Sequence, residues 1–385
     1  MIQELPDSAF SNFKGWGVQM RSYPRYLFWV AALAILAWTA PRAFVFAEET
    51  APLKLVKTIE LKDIRSGEPD VSADQLAKNL TTTRMVGVQN HFDHLTPDLK
   101  NSRLFVVPED NKTIEVYDIR SGKFVHSIKG IGVGHSVVYR ADIDRIFVTD
   151  GSDGDLKIFN GTTYELLKTV KLLADSDATG YDPVTHDLYI ADGGLDAKLD
   201  HTFLEIVNTD TGEKVGQIKI DSNRLEAMVV EKSGSRLFLN MTEKNSIGVI
   251  DRKSNSVAAV WPLTCKINAS VAIDEKNHRL FAACRDGNMN VLDSDTGKVL
   301  QNFPISTGVD DMVFDPASKR VYVATGEGFV NVFKETDADH FQAIGKIPTG
   351  PLGKTGLLVP ALNEYFVAVP PHGATCAEVL VFAVQ

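Results

Sequence analysis

Residues 145–150 read Arg145-Ile146-Phe147-Val148-Thr149-Asp150, a short apolar strand with one aromatic side chain and a charged residue in front of it. The same pattern occurs seven times along the chain. Its aromatic residues are Phe105, Phe147, Tyr189, Phe238, Phe281, Tyr322 and Phe366. They are separated by 42, 42, 49, 43, 41 and 44 residues. A repeat of this length indicates a chain built from seven similar structural units.

Each unit continues in the same way after this strand. A turn is followed by an alternating strand such as 156–160 or 289–293, and then by a turn such as Thr296-Gly297 and a last strand such as 298–303. Alternation of β-branched and aromatic residues between Gly, Asp and Asn turns is typical of antiparallel strands. Four strands in about 42 residues are typical of a propeller blade. The sequence therefore predicts an all-β fold, a seven-bladed β-propeller of four-stranded antiparallel blades.

The two ends of the chain predict how the ring closes. The seventh unit stops after its third strand, at 379–384, whereas residues 53–61 have the pattern of a fourth strand. An N-terminal strand that completes the last blade would cover an edge that is otherwise open to aggregation. We therefore expect a closing strand and linker over 48–90 and the propeller over 91–385.

The first residues have the pattern of a targeting segment. Arg21 and Arg25 precede an apolar run of 14 residues, Leu27–Ala40, whereas a membrane-spanning helix needs roughly 20. Val45-Phe46-Ala47 then precedes Glu48-Glu49-Thr50, as at a signal cleavage site after Ala47. This order predicts a signal peptide over 1–47 and a periplasmic or secreted protein. Residues 1–19 are unusual for the start of a signal peptide, so we expect that translation begins at Met20. The alternative is an uncleaved anchor, and in either case membrane contact is expected only through this segment.

Charge and cysteine content narrow the function classes. The 385-residue chain has a formal net charge of −10, which becomes −12 without residues 1–47, and it has no basic tail. This balance argues against nucleic-acid binding.

Three cysteines are too few for a disulfide scaffold. Cys265 and Cys284 are expected near one face, where they could form a disulfide in an oxidising compartment, which would leave Cys376 unpaired. We expect a monomer.

The repeated strand also carries a family resemblance. Residues 147–150 (Phe-Val-Thr-Asp), and less closely 189–192 and 322–325, resemble the Tyr-Val-Thr-Asn strand of the YVTN-type β-propeller repeats of YncE-like exported proteins. The resemblance covers essentially all of 53–385. It implies a soluble seven-bladed propeller in the periplasm or outside the cell. It implies no activity, because propellers include binding proteins, lactonases and dehydrogenases.

The repeat alignment also predicts a site. The first strand of each blade lines the propeller axis. We call the seven aromatic residues given above the marker aromatics. The residue that begins each first strand is found by counting back eleven positions from the residue before the marker aromatic, for example from Leu104 to Asp93. These seven residues, the axial ring, are Asp93, His135, Asp177, Glu226, Ala269, Asp310 and Lys354. The next residues are His94, Ser136, Ala178, Ala227, Ser270, Asp311 and Thr355. The alignment thus predicts a polar ring above an apolar channel on one face.

Four carboxylates around a narrow mouth repel one another unless a cation, a proton or Lys354 compensates them. A divalent cation is one such compensator, because carboxylate oxygens suit Ca²⁺ and imidazoles suit Zn²⁺. The candidate metal ligands are Asp93, His94, His135, Asp177 and Asp310. The alternative is a solvated channel entrance with no ligand. Loops on the same face add His372 and the long blade-three loop, 193–202, as candidates for recognition.

We therefore expect an exported binding or scaffolding module whose ligand is a protein, a glycan or a small molecule. The expected contact residues are Asp93, His94, His135, Asp177, Glu226, Asp310, Asp311, Lys354 and His372. The competing function is enzymatic, a metal-dependent lactonase-like hydrolase or a dehydrogenase with His94 or His135 as general base. A third function is contact with the cell envelope through the blade edges, without an axial site.

Overall fold

The computed structural model describes residues 51–61, 64, 73–82, 91–372 and 375–385. The expected signal peptide and the expected start at Met20 lie outside these residues. The described chain forms seven four-stranded antiparallel sheets, each one a blade of a β-propeller, as predicted. No helix within the described ranges has the length and apolar character that a membrane span requires.

Each blade has four strands, counted outward from the axis, and they follow sequence order in every blade except the seventh, whose outer strand is the N-terminal β1. The first strands are β2 (Phe92–Asp98), β6 (Gly134–Arg140), β10 (Thr179–Asp182), β14 (Leu225–Val230), β18 (Asn268–Asp274), β22 (Val309–Asp315) and β26 (Thr355–Val359). The second strands are β3 (Arg103–Pro108), β7 (Arg145–Asp150), β11 (Asp187–Gly193), β15 (Arg236–Met241), β19 (Arg279–Cys284), β23 (Arg320–Thr325) and β27 (Glu364–Val369).

The third strands are β4 (Thr113–Asp118), β8 (Asp155–Asn160), β12 (Thr202–Asn208), β16 (Ser246–Asp251), β20 (Asn288–Asp293), β24 (Phe329–Asp337) and β28 (Glu378–Val384). The outer strands are β5 (Phe124–Lys129), β9 (Leu166–Lys171), β13 (Glu213–Ile220), β17 (Ser256–Pro262), β21 (Val299–Pro304), β25 (His340–Pro348) and β1 (Leu53–Glu60). One helix, α1 (Ala73–Asn79), lies between β1 and blade one.

The second strands carry the marker aromatics because both of their faces are covered by neighbouring blades. Every residue of β3 is buried, and Phe105 has no exposed surface. The first strands pack against one another at the axis, where β26 contacts β2 and closes the circle. The continuous apolar runs of the second strands, such as 103–108, follow from burial on both faces.

The N-terminal strand closes blade seven, as predicted. β1 pairs antiparallel with β28, so that Leu53 lies opposite Val384 and Ile59 opposite Val379. Ile59 is only 3% exposed and packs in a core cluster with Phe92 and with residues of blade seven. The strand therefore joins the last blade to the first.

The outer strands form seven exposed edges, and each edge is protected in the same way. Phe124 and Leu166 are about half exposed, at 47% and 53%. Every pairing of an outer strand contains a register shift, such as the one between Leu55 and Lys57 in β1. Bulges and edge lysines discourage strand addition by another chain. Because the register shifts discourage pairing with another chain, apolar side chains such as Phe124 and Leu166 can remain exposed on these edges.

Helix α1 lies against the loops on the face where the first strands begin. Leu76 and Leu80 pack with Leu352 in a small apolar cluster. A Cβ atom placed on Gly326 would lie 2.4 Å from Cδ2 of Leu80, and one on Gly308 would lie 2.6 Å from the same atom. The two glycines therefore leave the space that Leu80 fills.

Candidate functional site

The axial ring lies where the first strands begin. In five blades the register between the first and second strands shifts at this point, for example between Phe92 and Leu95 in blade one. Asp93 and His94 are the two residues inside that shift. A β-bulge removes residues from the ladder and redirects their side chains. The bulge explains how two consecutive residues can both face the axis, which a regular strand would prevent.

Six ring members line one cavity of about 450 Å³, which we call the mouth cavity; Ala269 is the ring member outside it. The other lining residues are His91, Glu109, Val133, Gly151, Ser152, Ala174, Asp175, Asp196, Arg224 and Arg285. The volume falls within the range of about 300–1,000 Å³ for small-molecule pockets, but such pockets are usually lined by apolar residues. The wall of the mouth cavity is instead mostly charged.

A chain of ion pairs forms one half of the wall, the mixed half. Lys354 contacts Oδ2 of Asp310 through Nζ, and Oδ1 of Asp310 accepts a 2.8 Å hydrogen bond from Nη2 of Arg285. Nη1 of Arg285 lies 3.4 Å from Oε1 of Glu226. The same Glu226 oxygen accepts a 3.2 Å hydrogen bond from Nε of Arg224. Three cations thus alternate with two carboxylates.

These buried groups keep their charges. Burial favours the neutral form of Asp310, but Lys354 and Arg285 outweigh it and hold the pKa of Asp310 below its usual value. Burial likewise opposes the ammonium of Lys354, yet Asp310 and Asp93 raise its pKa. Asp310 and Lys354 are therefore both charged at neutral pH.

Arg224 and Arg285 are the two basic residues that the ring alignment missed. Arg285 follows β19 in blade five, the blade whose ring position is occupied by Ala269. Its guanidinium supplies the charge that this blade lacks. The signal in the sequence was the single uncharged ring position, Ala269, together with Arg285 at the end of the second strand of the same blade.

The acidic half of the wall comprises His91, Asp93, Glu109, His135, Asp175 and Asp177. Nδ1 of His135 lies 2.7 Å from Oδ2 of Asp93 and 3.7 Å from Oδ1 of Asp177. Burial opposes the charge on His135, but Asp177 and Asp93 raise its pKa well above the usual value. His91 and Glu109 form a second pair through Nε2 and Oε2.

Asp177 differs from the other ring carboxylates. No hydrogen bond to its carboxylate is found among the described residues, and the cation nearest to it within 4 Å is His135, at 3.7 Å. The pKa of Asp177 is raised to about 7, because burial and the nearby carboxylates of Asp93, Glu226 and Asp175 together outweigh the opposite effect of His135. Its negative charge is the least compensated in the ring.

His94 and Asp311 belong to a different cavity from the one predicted. They line a deeper space of about 270 Å³, the inner cavity, together with first-strand residues such as Ser136 and Met228. Nδ1 of His94 lies 3.2 Å from Oδ1 of Asp311. Burial lowers the pKa of His94, but Asp311 and Asp93 outweigh it and raise the pKa to about 10. A protonated His94 cannot act as a general base until it loses that proton.

His372 lies outside both cavities. Its backbone forms a bridge with Thr375, and its Nδ1 lies 3.0 Å from the carbonyl oxygen of Pro370. His372, predicted as a contact residue from a loop on the same face, is therefore not among the residues that line either cavity.

The residues grouped as metal ligands do not form one set. Asp310 is held by Lys354 and Arg285, and His94 pairs with Asp311 in the inner cavity. The donor atoms that do converge, within 4.8 Å of one another, belong to Asp93, Glu109 and His135. These residues could hold a divalent cation, although His135 is a protonated partner of Asp93 and would first have to release its proton.

The long blade-three loop adds Asp196 to the mouth cavity. Oδ2 of Asp196 lies 3.7 Å from Nη1 of Arg224. The loop starts with Gly193 and Gly194 at φ of 89° and 69°, a conformation that favours glycine. A Cβ atom on Gly194 would lie 2.3 Å from the carbonyl oxygen of Asn223, so the close contact also requires glycine.

The cysteines are arranged as expected. Cys265 and Cys284 form a disulfide with Cα atoms 6.0 Å apart, and Cys376 is free and exposed. Cys284 directly precedes Arg285. The disulfide therefore anchors the loop that carries a central charge of the mixed half. A group formed by Cys265, Cys284 and Asp286 is compact enough for a metal, but bonded sulfurs are not thiolate ligands.

Comparison with known proteins supports the fold. No protein-family model matches the chain, and no curated protein matches it in sequence. The chain is similar to a chain of a mitotic checkpoint complex, with 13% identity and a TM-score of 0.68 over 92% of this chain and 99% of that one. It is also similar to the RRP9 WD40 repeats, with 12% identity and a TM-score of 0.65 over 77% and 95% of the two chains.

A third similar structure is hydrazine synthase of Kuenenia stuttgartiensis. Its chain is 15% identical, with a TM-score of 0.64 over 77% of this chain and 97% of that one. Identities this low show the fold alone. The comparisons therefore support the β-propeller fold.

Proposed function

We propose that the protein is an exported binding protein that takes a small, charged ligand in its mouth cavity. One observation carries this proposal: the cavity of about 450 Å³ is walled by buried charges that ion pairs hold in fixed positions. Removing charges from water costs several kcal/mol for each ion, and well-packed apolar residues are often as stable or more stable in their place. A wall of charges is therefore better explained by recognition than by stability.

The fixed geometry of the wall also favours binding. Arg285 is held by Glu226 on one side and by Asp310 on the other, at 3.4 and 2.8 Å. Groups that are ordered before a ligand arrives lose little conformational entropy when it binds. The mouth cavity can therefore recognise a charged molecule without rearranging.

The experiment is a thermal-shift screen of the purified protein, expressed with its natural N-terminal segment, against amino acids, amines, carboxylates, sugars and nucleotides at pH 7.5. The proposal predicts that one charged class raises Tm in the wild type and in the control variant Asp153→Asn, whose side chain is exposed. It predicts no shift in Arg285→Met. An equal shift in Arg285→Met would place the binding elsewhere.

Export and the family are part of the same proposal. The apolar run before Ala47 and the YVTN-like strands support a YncE-like exported propeller that starts at Glu48. Intact-mass measurement of the protein recovered from the culture supernatant, the periplasm and the membrane fraction tests this directly. A membrane-bound protein whose mass includes the apolar run Leu27–Ala40 would support an uncleaved anchor instead.

A second function, protein scaffolding, is supported by the similarity to a chain of a mitotic checkpoint complex. A protein partner captured equally by the wild type and by Arg285→Met would favour that function. A metal-dependent hydrolase or dehydrogenase is less well supported, because the predicted metal ligands are divided between two cavities and an ion-pair chain.

A further inference from the structure

Two oppositely charged residues of the axial ring have unused hydrogen-bonding capacity. Lys354 is 6% exposed at its side chain and has three N–H donors. Within the part of the chain that the structure describes, its ammonium donates one hydrogen bond, to Asp310. Asp177, 14% exposed at its side chain, receives none at its carboxylate from the described residues. Both line the mouth cavity.

These two residues lie across the mouth cavity from each other. Asp177 precedes the first strand of blade three, and Lys354 precedes the first strand of blade seven. Counted by the shorter way round the ring, blades seven and three are three blades apart. This is the largest separation that a ring of seven blades allows. A ligand that contacts both residues must therefore extend across the mouth.

The neighbouring charges differ between the two ends of the cavity. Beside Lys354, Asp310 is shared with a second cation, Arg285, and the nearby Asp93 is paired with His135. Beside Asp177, Asp175 adds a carboxylate whose nearest described cation, Arg224, is 3.6 Å away and shared with Glu226 and Asp196. The end at Lys354 can therefore receive an anionic group, and the end at Asp177 a cationic group.

From this arrangement we propose that the ligand is a small zwitterion, with an ammonium group that binds Asp177 and a carboxylate that binds Lys354. This inference rests on the proposed function and names its ligand class. A simple amine would leave the donors of Lys354 unused, and a simple carboxylate would leave Asp177 uncompensated. A divalent cation would meet Lys354 and Arg285 beside the same cavity, which oppose its binding.

The test is calorimetric titration at pH 7.5 with ω-amino acids of two to eight carbons, and with the amine and the carboxylic acid of each length. We expect one chain length of amino acid to bind at least tenfold more tightly than either matched compound. Asp177→Asn should abolish the advantage over the carboxylic acid, and Lys354→Met the advantage over the amine. Asp153→Asn and Lys129→Met, which change exposed residues, should leave both advantages unchanged.

The outcomes separate this inference from the proposed function. Amines or carboxylates that bind as tightly as the amino acids would overturn the zwitterion while leaving a charged-ligand site in place. Binding of other charged compounds, but of no amino acid in the series, would have the same meaning. No binding by this series or by the wider screen would contradict both. The comparison of the three probes uses the wild-type protein and does not depend on how the variants fold.

Discussion

Arg285 takes the place of Ala269 in the charged wall at the propeller axis. Ala269 occupies the ring position of blade five, and Arg285 reaches the wall from the end of the second strand of the same blade. Its guanidinium contacts Asp310 at 2.8 Å and Glu226 at 3.4 Å. Blade five therefore contributes its charge from the end of its second strand and not from its first strand. The Arg285 side chain connects Glu226 of blade four with Asp310 of blade six.

Replacing this arginine should be costly. We expect Arg285→Met to lower the free energy of unfolding by about 3–5 kcal/mol at pH 7, because the buried Glu226 and Asp310 each lose a counter-ion. Urea denaturation measures the loss. Adding Glu226→Gln and Asp310→Asn to the same protein should lower stability further, because Arg224 and Lys354 would then be buried without their carboxylate partners. A triple variant more stable than Arg285→Met would mean that Arg224 and Lys354 do not compensate the two carboxylates.

Asp177 should destabilise the protein as the pH rises. Its pKa is raised from 3.8 to about 7 in the folded state. The folded protein therefore binds more protons than the unfolded chain between these values, and stability falls as the pH rises from about 4 to about 7. We expect Asp177→Asn to remove this fall, with a gain on the order of 1–3 kcal/mol at pH 8 and little at pH 4.

Thermal unfolding of the wild type and of Asp177→Asn from pH 4 to pH 8 tests this prediction. Asp153→Asn, at an exposed turn, is the control and should give a constant difference from the wild type. If the Asp177→Asn difference were equally constant, the carboxylate would be ionised throughout and its charge already compensated.

The closing strand should depend on its buried residues. Ile59 is 3% exposed and packs against Gly122 in the neighbouring turn. We expect Ile59→Ala to cost about 2–5 kcal/mol, as do other buried large-to-small changes. Leu55→Ala in the same strand, where Leu55 is 51% exposed, should cost less than about 0.5 kcal/mol. Equal effects in urea denaturation would contradict the pairing of β1 with β28.

The disulfide should be present in the purified protein. We expect non-reducing peptide mapping to find one cross-linked pair, Cys265 with Cys284, and alkylation of the native protein to modify Cys376 alone. Replacing both partners with alanine should cost about 3 kcal/mol, the value for a loop of similar length. Alkylation of Cys265 or Cys284 in the unreduced native protein would contradict the pairing.

The fold could be predicted from the sequence because one structural requirement recurs in every blade. The second strand is covered on both faces, so Phe105 and its six counterparts produce a clear period of apolar-aromatic strands. The closing strand followed from the missing fourth strand of blade seven. The bulges of the outer strands left no comparable signal, because most residues of strands such as β5 and β9 are exposed and show little apolar alternation for a bulge to interrupt.

The site could be predicted only in part. The alignment located the ring because its members share one position in the repeat, and six of them line the mouth cavity. It missed Arg285 and Arg224, which reach the cavity from positions outside that alignment. It also grouped His94 with Asp93, because it could not show that the bulge directs consecutive residues to different cavities.

The measurement that tests the central claim most directly is a crystal structure of the protein grown with a mixture of ω-amino acids, alkylamines and carboxylic acids. We predict one bound molecule in the mouth cavity, in contact with Asp177 at one end and Lys354 at the other. Electron density for these compounds only outside the mouth cavity would contradict the claim that the axial charges form a binding site.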